Sequence, residues 1–301
     1  MKSKILYILL GALLFIGSFL TIEKTIDQES LALIEKAQSV DTQKIWPGFS
    51  FEKYPLDVSY GKYEFHYDKG KISKQKNKLG IQALSAMPTE KGPVVKMLPL
   101  SQVRTIVDMG SQSKEEREQV YISILLHEAF HCYQMENGVD VSSIKSEKID
   151  TEGKEFKDYK KFKNSLQVLD EDEEYQKLWE KEMQGLTDFI DNKQGKNWAQ
   201  AKEERLAYEE KKLGKDFELY REWSLKKELL EGTARYVEDK ALALLQGGKE
   251  ESLSQGKFLS GEEKFYVSGS LKAQILDKKA DWKKLRFDGS INLDQLLLQE
   301  I

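Results

Sequence analysis

Five consecutive residues, His127-Glu128-Ala129-Phe130-His131, carry the densest chemical signal in the chain. Residues four apart on an α-helix differ by about 40° in azimuth and ~6 Å in height, so the two histidines project as a pair able to grip one ion. Glu128 stands on the flank of that face. There its carboxylate can take a proton from water that a zinc ion has made acidic and hand it to a leaving amine. Histidine is scarce, three in 301 residues, so two at this spacing around a glutamate are not background. Val120, Ile124, Leu125, Ala129, Phe130 and Cys132 make the segment apolar enough to be buried, and buried imidazoles need partners. A metal ion supplies one.

The remaining donors are constrained by composition. With a single cysteine, Cys132, there is no intrachain disulfide framework and no multi-cysteine zinc site, so further ligands must be histidine or carboxylate. Cys132 sits 100° from His131 on a helix and is expected to pack as a small hydrophobe. His66 falls among the aromatics of Tyr63-Glu64-Phe65-His66-Tyr67 and reads as structural, with third ligand as its alternative role. The stronger candidate is downstream, where Glu231-Gly232-Thr233-Ala234 interrupts a helical pattern with small residues. A glycine inside a helix costs ~1 kcal/mol relative to alanine, which makes sense if another backbone passes close to Gly232 and brings Glu231 to the ion. Glu228 and Glu238 share that helix face and stand as alternatives. One Zn2+ per chain is the cofactor this pattern implies.

These residues resemble the gluzincin zinc peptidases, the broad set containing thermolysin and the aminopeptidase-N type enzymes. The aminopeptidase-like third-ligand motif has the form N-E-G-x-A-x-Y-x-E, and Leu230 to Glu238 match it except that Leu230 replaces the Asn. The resemblance implies a zincin-like fold, with His127, His131 and Glu231 as ligands and Glu128 as general base. Tyr266-Val267-Ser268-Gly269 looks like the family's Y-x-x-G element, which implies that Tyr266 hydrogen-bonds the oxyanion, with Tyr236 and Tyr133 as alternatives. In related enzymes an edge strand aligns extended substrate, a role open to Val94–Leu98. Departures are also visible. Arg235 stands where thermolysin has an Asp, a hundred residues separate His131 from Glu231, and no G-A-M-E-N-type segment supports aminopeptidase specificity.

The elements that must position these groups are legible in texture. Residues 49–110 alternate aromatic and β-branched runs with glycines and prolines and read as a small mixed sheet. Beyond Ser111 the pattern is helical: Ser113-Lys114-Glu115-Glu116 forms a capping box, and Asn137-Gly138 supplies a stop. Residues 139–215 are highly charged yet keep Leu178, Trp179, Met183, Leu186 and Phe189 at helical spacing, which predicts a helical insert and a surface open to a protein partner. Another long helix is expected from about Asp216 to Leu245, closed by Gly247-Gly248. The expected class is therefore α+β, with the metal site on helical regions 111–138 and 216–301.

Location follows from the N-terminus. Lys2 and Lys4 precede eighteen uncharged residues, Ile5 to Ile22, which as a helix would span roughly 27 Å against a ~30 Å hydrocarbon core. Residues 1–22 read as a membrane anchor, with a cleaved signal as the alternative, and 23–48 as a stalk breaking at Trp46-Pro47-Gly48. Lysines before the span place the rest of the chain outside the cytoplasm, or secreted if the segment is cleaved. The net charge of −4, with both signs interspersed, argues against nucleic acid. The expectation is a membrane-tethered zinc hydrolase acting on peptide or protein substrates. A non-peptide zinc hydrolase would use the same residues, and a scaffold or surface-assembly protein would keep the fold without the chemistry.

Overall fold

The computed structural model describes residues 25–77, 84–106, 113–139, 154–191, 195–248, 258–279, 281–284, 286–290 and 292–301. The apolar run 5–22 lies outside them. Among the described residues no helix is long and apolar enough to cross a membrane.

The protein is α+β, a five-stranded mixed sheet followed by a mostly helical region. Helices α1 (Gln28–Gln38) and α2 (Thr42–Ile45) precede strands β1 (Leu56–Tyr60), β2 (Tyr63–Asp68), β3 (Lys71–Lys76), β4 (Ser85–Thr89) and β5 (Gly92–Met97). Next come α3 (Leu100–Ile106), α4 (Lys114–Glu136), α5 (Lys154–Asp170), α6 (Glu173–Ile190), α7 (Lys196–Leu213) and α8 (Phe217–Lys227). A π-helical turn, Glu228–Gly232, joins α8 to α9 (Thr233–Leu245), and α10 (Glu263–Lys279) and α11 (Leu293–Leu298) complete the chain. Two compact units result, residues 1–136 with 237–250 and residues 137–236 with 251–301, so the division passes through α9.

In the first unit the strand order is β3-β2-β1-β5-β4, all neighbours antiparallel except β1 and β5. Strand alternation puts Leu56, Val58, Phe65, Tyr67, Val95 and Met97 on one face, every one of them buried. α1 and α4 pack with this layer: Gln38 receives the Tyr67 hydroxyl at 3.3 Å, and Tyr121 of α4 donates to the Leu98 carbonyl at 2.5 Å. Trp46 and Phe49, from the segment read as stalk and its boundary, pack against Phe130 of α4 at ring separations of 4.8 and 5.3 Å, tilted at 60° and edge-on at 84°. The stalk is thus part of the core. The opposite face of the sheet carries a charged network instead, in which Lys96 donates to Asp57 at 2.6 Å and to Glu64 at 2.8 Å. β5 lies between β1 and β4, so Val94–Leu98 is not an edge and cannot take an added strand.

α4 begins as its sequence predicts. The Ser113 hydroxyl receives the Glu116 N–H at 3.2 Å while the Glu116 carboxylate receives the Ser113 N–H at 2.6 Å, a capping box. It ends at Glu136, with Gly138 in the left-handed region at φ +126°. Residues 125–130 of this helix are all buried, so it is enclosed on nearly every side.

The second unit is helical, with an aromatic core that includes Phe162, Tyr175, Trp179, Trp198, Tyr220 and Phe265. Part of this unit's charge is internal. Arg205 pairs with Glu182 and Glu209, and Lys272 holds Glu228 and Asp294, each at 2.6 Å. Gly232 and Gly269 meet backbone to backbone. A Cβ on Gly232 would stand 2.5 Å from the Gly269 Cα, the close approach expected from a glycine inside a helix.

Candidate metal centre

On α4 the side chains of His127 and His131 converge. Their Nε2 atoms are 3.1 Å apart, and the rings stand nearly perpendicular at 81°. Each ring is fixed from behind. The His127 Nδ1 lies 3.0 Å from a Glu238 carboxylate oxygen, and the His131 Nδ1 lies 2.6 Å from Gln134 Oε1. With both Nδ1 atoms facing oxygens, the tautomers protonated there turn both Nε2 atoms toward the same small space, the arrangement in which the two rings can share one cation.

A carboxylate oxygen of Glu231 completes the set: the ligand atoms of His127, His131 and Glu231 all lie within 4.8 Å of one another. Glu231 stands on the π-helical turn that runs directly into α9, the helix carrying Glu238. Two imidazole nitrogens on a tetrahedral zinc ion at ordinary bond lengths are about 3.3 Å apart, close to the separation seen. Two nitrogens and one carboxylate oxygen also match the three-ligand sets of catalytic zinc, and the donors present fit the ion.

The chain shows no match to any protein-family model, and neither a curated protein nor a solved structure is similar enough to it to count as a match.

The three carboxylates considered for the third ligand take separate tasks. Glu231 joins the histidines. Glu238, seven residues on, holds the back of His127. Glu228 is turned to the interior of the second unit, where its Oε1 accepts from Lys272 Nζ and Ser268 Oγ, each at 2.6 Å. Four residues after Glu231 stands Arg235, and the carboxylate that meets His127 is Glu238, about one helical turn further along. Gln134 has no counterpart in the sequence reading, although its position three residues after His131 places it on the same helix flank.

Glu128 is buried at 4% exposure on the same turn as His127. Cys132 is fully buried, and burial, reinforced by Glu128 and Glu136, pushes its thiol well above the usual range, which suits packing and not ligation. His66 is committed to the sheet network, its Nδ1 2.7 Å from Asp57 Oδ1. Tyr266 lies half-buried near the start of α10. Tyr236 is not available as its substitute, because the ring is buried and the hydroxyl donates to Asp277 at 2.7 Å.

Behind Glu231 stands a chain of ionic contacts within the second unit. Lys227 Nζ is 3.7 Å from Glu231 and 2.8 Å from Glu262, and Glu262 also receives the Tyr159 hydroxyl at 2.5 Å. Burial works against the Lys227 charge, but Glu231 and Glu262 outweigh it and hold its pKa up.

Proposed function

We propose that this chain is a zinc-dependent hydrolase of the gluzincin type, acting on peptide or protein substrates and tethered to a membrane through residues 5–22 with its catalytic region outside the cytoplasm. The observation that carries the reading is the convergence of the His127 and His131 Nε2 atoms, 3.1 Å apart, on rings whose Nδ1 atoms face Glu238 and Gln134. His127, His131 and Glu231 would hold one Zn2+. When bound, the ion supplies Lewis acidity, lowering the pKa of water toward 7 and polarising a carbonyl. Glu238 and Gln134 keep the two rings in the ligating tautomer. Glu128 accepts the proton released as water attacks the carbonyl carbon and delivers it to the departing amine. Tyr266 is assigned the hydrogen bond to the carbonyl oxygen as negative charge develops there.

The choice of peptide over another carbonyl substrate rests on the resemblance of Leu230 to Glu238 to the family motif. Zinc content of the purified full chain, with hydrolysis of a mixed peptide library and of simple esters by native protein and Glu128→Gln, tests the reading. Stoichiometric zinc and cleavage that depends on Glu128 are expected. Zinc without Glu128-dependent cleavage of peptides or esters would leave a scaffold and end the catalytic reading.

A further inference from the structure

The hairpin of β2 and β3 is charged against the sign of the whole chain. Between Tyr60 and Asn77 there are five lysines and two acids, in a protein whose net charge is −4. Lys62, Lys69, Lys71, Lys74 and Lys76 are all exposed, and β3 is an outer strand. Of the acids near Tyr63, Glu64 is buried with Lys96 and Gln75, and Asp27 caps α1 and receives the Tyr60 hydroxyl at 2.5 Å, while Asp68 stands across from Lys71 at the far turn of the hairpin. Lysines on an edge strand have an ordinary role, blocking pairing with another sheet. That role does not call for exposed apolar side chains beside them. Yet Tyr63 is 47% exposed and Ile72 39%, on the same sheet face as Lys74 and Lys76. Lys74 Nζ lies 4.4 Å from the centre of the Tyr63 ring.

The position of this patch is as telling as its composition. The Asp27 N–H donates to the Tyr60 hydroxyl at 3.0 Å, so the chain enters the fold beside the β1–β2 turn at Gly61 and Lys62. Tyr63 pairs with Lys76 at that same end of the sheet. Only Glu23 to Ile26 separate the end of the apolar run from this anchorage, a reach of roughly 14 Å when fully extended. If the run is held in a bilayer, Lys62, Tyr63, Lys74 and Lys76 stand near the headgroups, where a basic patch is attracted over about one Debye length. Tyrosine favours the same interfacial layer.

We propose that Lys62, Tyr63, Lys74 and Lys76 form a docking surface for acidic phospholipid headgroups, which orients the first unit on the membrane that anchors it. The proposal rests on the anchoring of residues 5–22 and is independent of the zinc centre.

The test uses the full chain in vesicles of phosphatidylcholine, alone or mixed with phosphatidylglycerol. Since Cys132 is buried, a nitroxide label can be directed to one new surface thiol, Ile72→Cys on the same face of β3 as Lys74 and Lys76 or Lys91→Cys at the opposite end of the sheet. Collision of the label with a nickel-chelating headgroup lipid reports proximity. The expected result is strong collision at position 72 and weak collision at 91, increased by phosphatidylglycerol and reduced by salt. Changing Lys62, Lys74 and Lys76 together to Glu should remove it, at about five-fold per lysine. Equal collision in neutral and acidic vesicles, or no loss in the charge-reversed protein, would overturn docking. Aggregation of that variant with contact retained would assign the lysines to edge protection alone and overturn it too. Carbonate extraction separates the two levels: a chain washed off the vesicles sinks both anchor and docking, whereas a retained chain with no contact at position 72 sinks docking alone.

Discussion

Replacing Gly232 by alanine sets helix propensity against packing, and the geometry decides which wins. Propensity alone favours alanine by ~1 kcal/mol. The added Cβ, however, would lie 2.5 Å from the Gly269 Cα and 2.8 Å from the Gly269 carbonyl carbon. Both are backbone atoms, so no side-chain rotation relieves the clash. Restoring ordinary contact near 3.4 Å requires the π-helical turn and α10 to part by about 0.9 Å, an overpacking that costs about 1–3 kcal/mol. The Lys272–Glu228 pair and the Ser268–Glu228 hydrogen bond cross the same contact and would lengthen with it. Set against the propensity gain, a net loss of about 1 kcal/mol is expected, read as a lower denaturation midpoint in urea. Gly269→Ala should cost a similar amount, since its Cβ would meet the Glu228 carbonyl oxygen and the Gly232 Cα. The double variant should lose much less than the sum, because helices already parted accommodate the second methyl. If Gly232→Ala is as stable as native, or more stable by its propensity gain, the close backbone contact is not tight and the reasoning fails.

Three further outcomes are expected. Glu128→Gln should retain bound zinc while hydrolysis falls about 10²–10⁴-fold, as measured by metal analysis and turnover; loss of zinc in step with activity would make Glu128 structural. Glu238→Gln should weaken zinc about 10–100-fold in a competitive chelator titration, whereas Glu228→Gln, removed from the histidines, should leave zinc affinity unchanged. Glu263 is a half-buried carboxyl whose burial, opposed only by Arg235, carries its pKa up to about 7. The folded state then keeps a proton that the unfolded chain has lost above about pH 4.5, so the stability of native protein falls between these values. Glu263→Gln should match native protein below about pH 4.5 and exceed it by about 1 kcal/mol above pH 7, after allowance for solvent screening. A pH-independent difference in melting would refute that assignment.

What the sequence discloses about this molecule is mostly local. The capping box at Ser113, the stop at Gly138 and the phase of His127 and His131 depend on residues within a turn or two of each other, and each is found as expected. Gly232 reveals a close approach because a helical glycine has a cost that demands a reason, but not the identity of its partner, Gly269, which lies in another helix. Long-range pairing is where the reading runs out. Val94–Leu98 has the composition of either an edge or a core strand, and its place between β1 and β4 is set by partners far away in the chain. Likewise Glu228, Glu231 and Glu238 look interchangeable on one helix face until their neighbours are known: Lys272, the histidine pair and the back of His127.

The π-helical turn at Glu228–Gly232 makes this stretch more sensitive to length than to letters. A turn with i→i+5 bonding holds one residue more than the α-helical turn it replaces, so α8 and α9 are two helices out of phase by about one residue's rotation, ~100°. A chain shortened by one residue here could close into an uninterrupted helix with all its backbone bonds made. That smoother helix would no longer hold Glu228 at Lys272 and Gly232 against Gly269 together. The local irregularity is the extra residue by which one turn serves both neighbours.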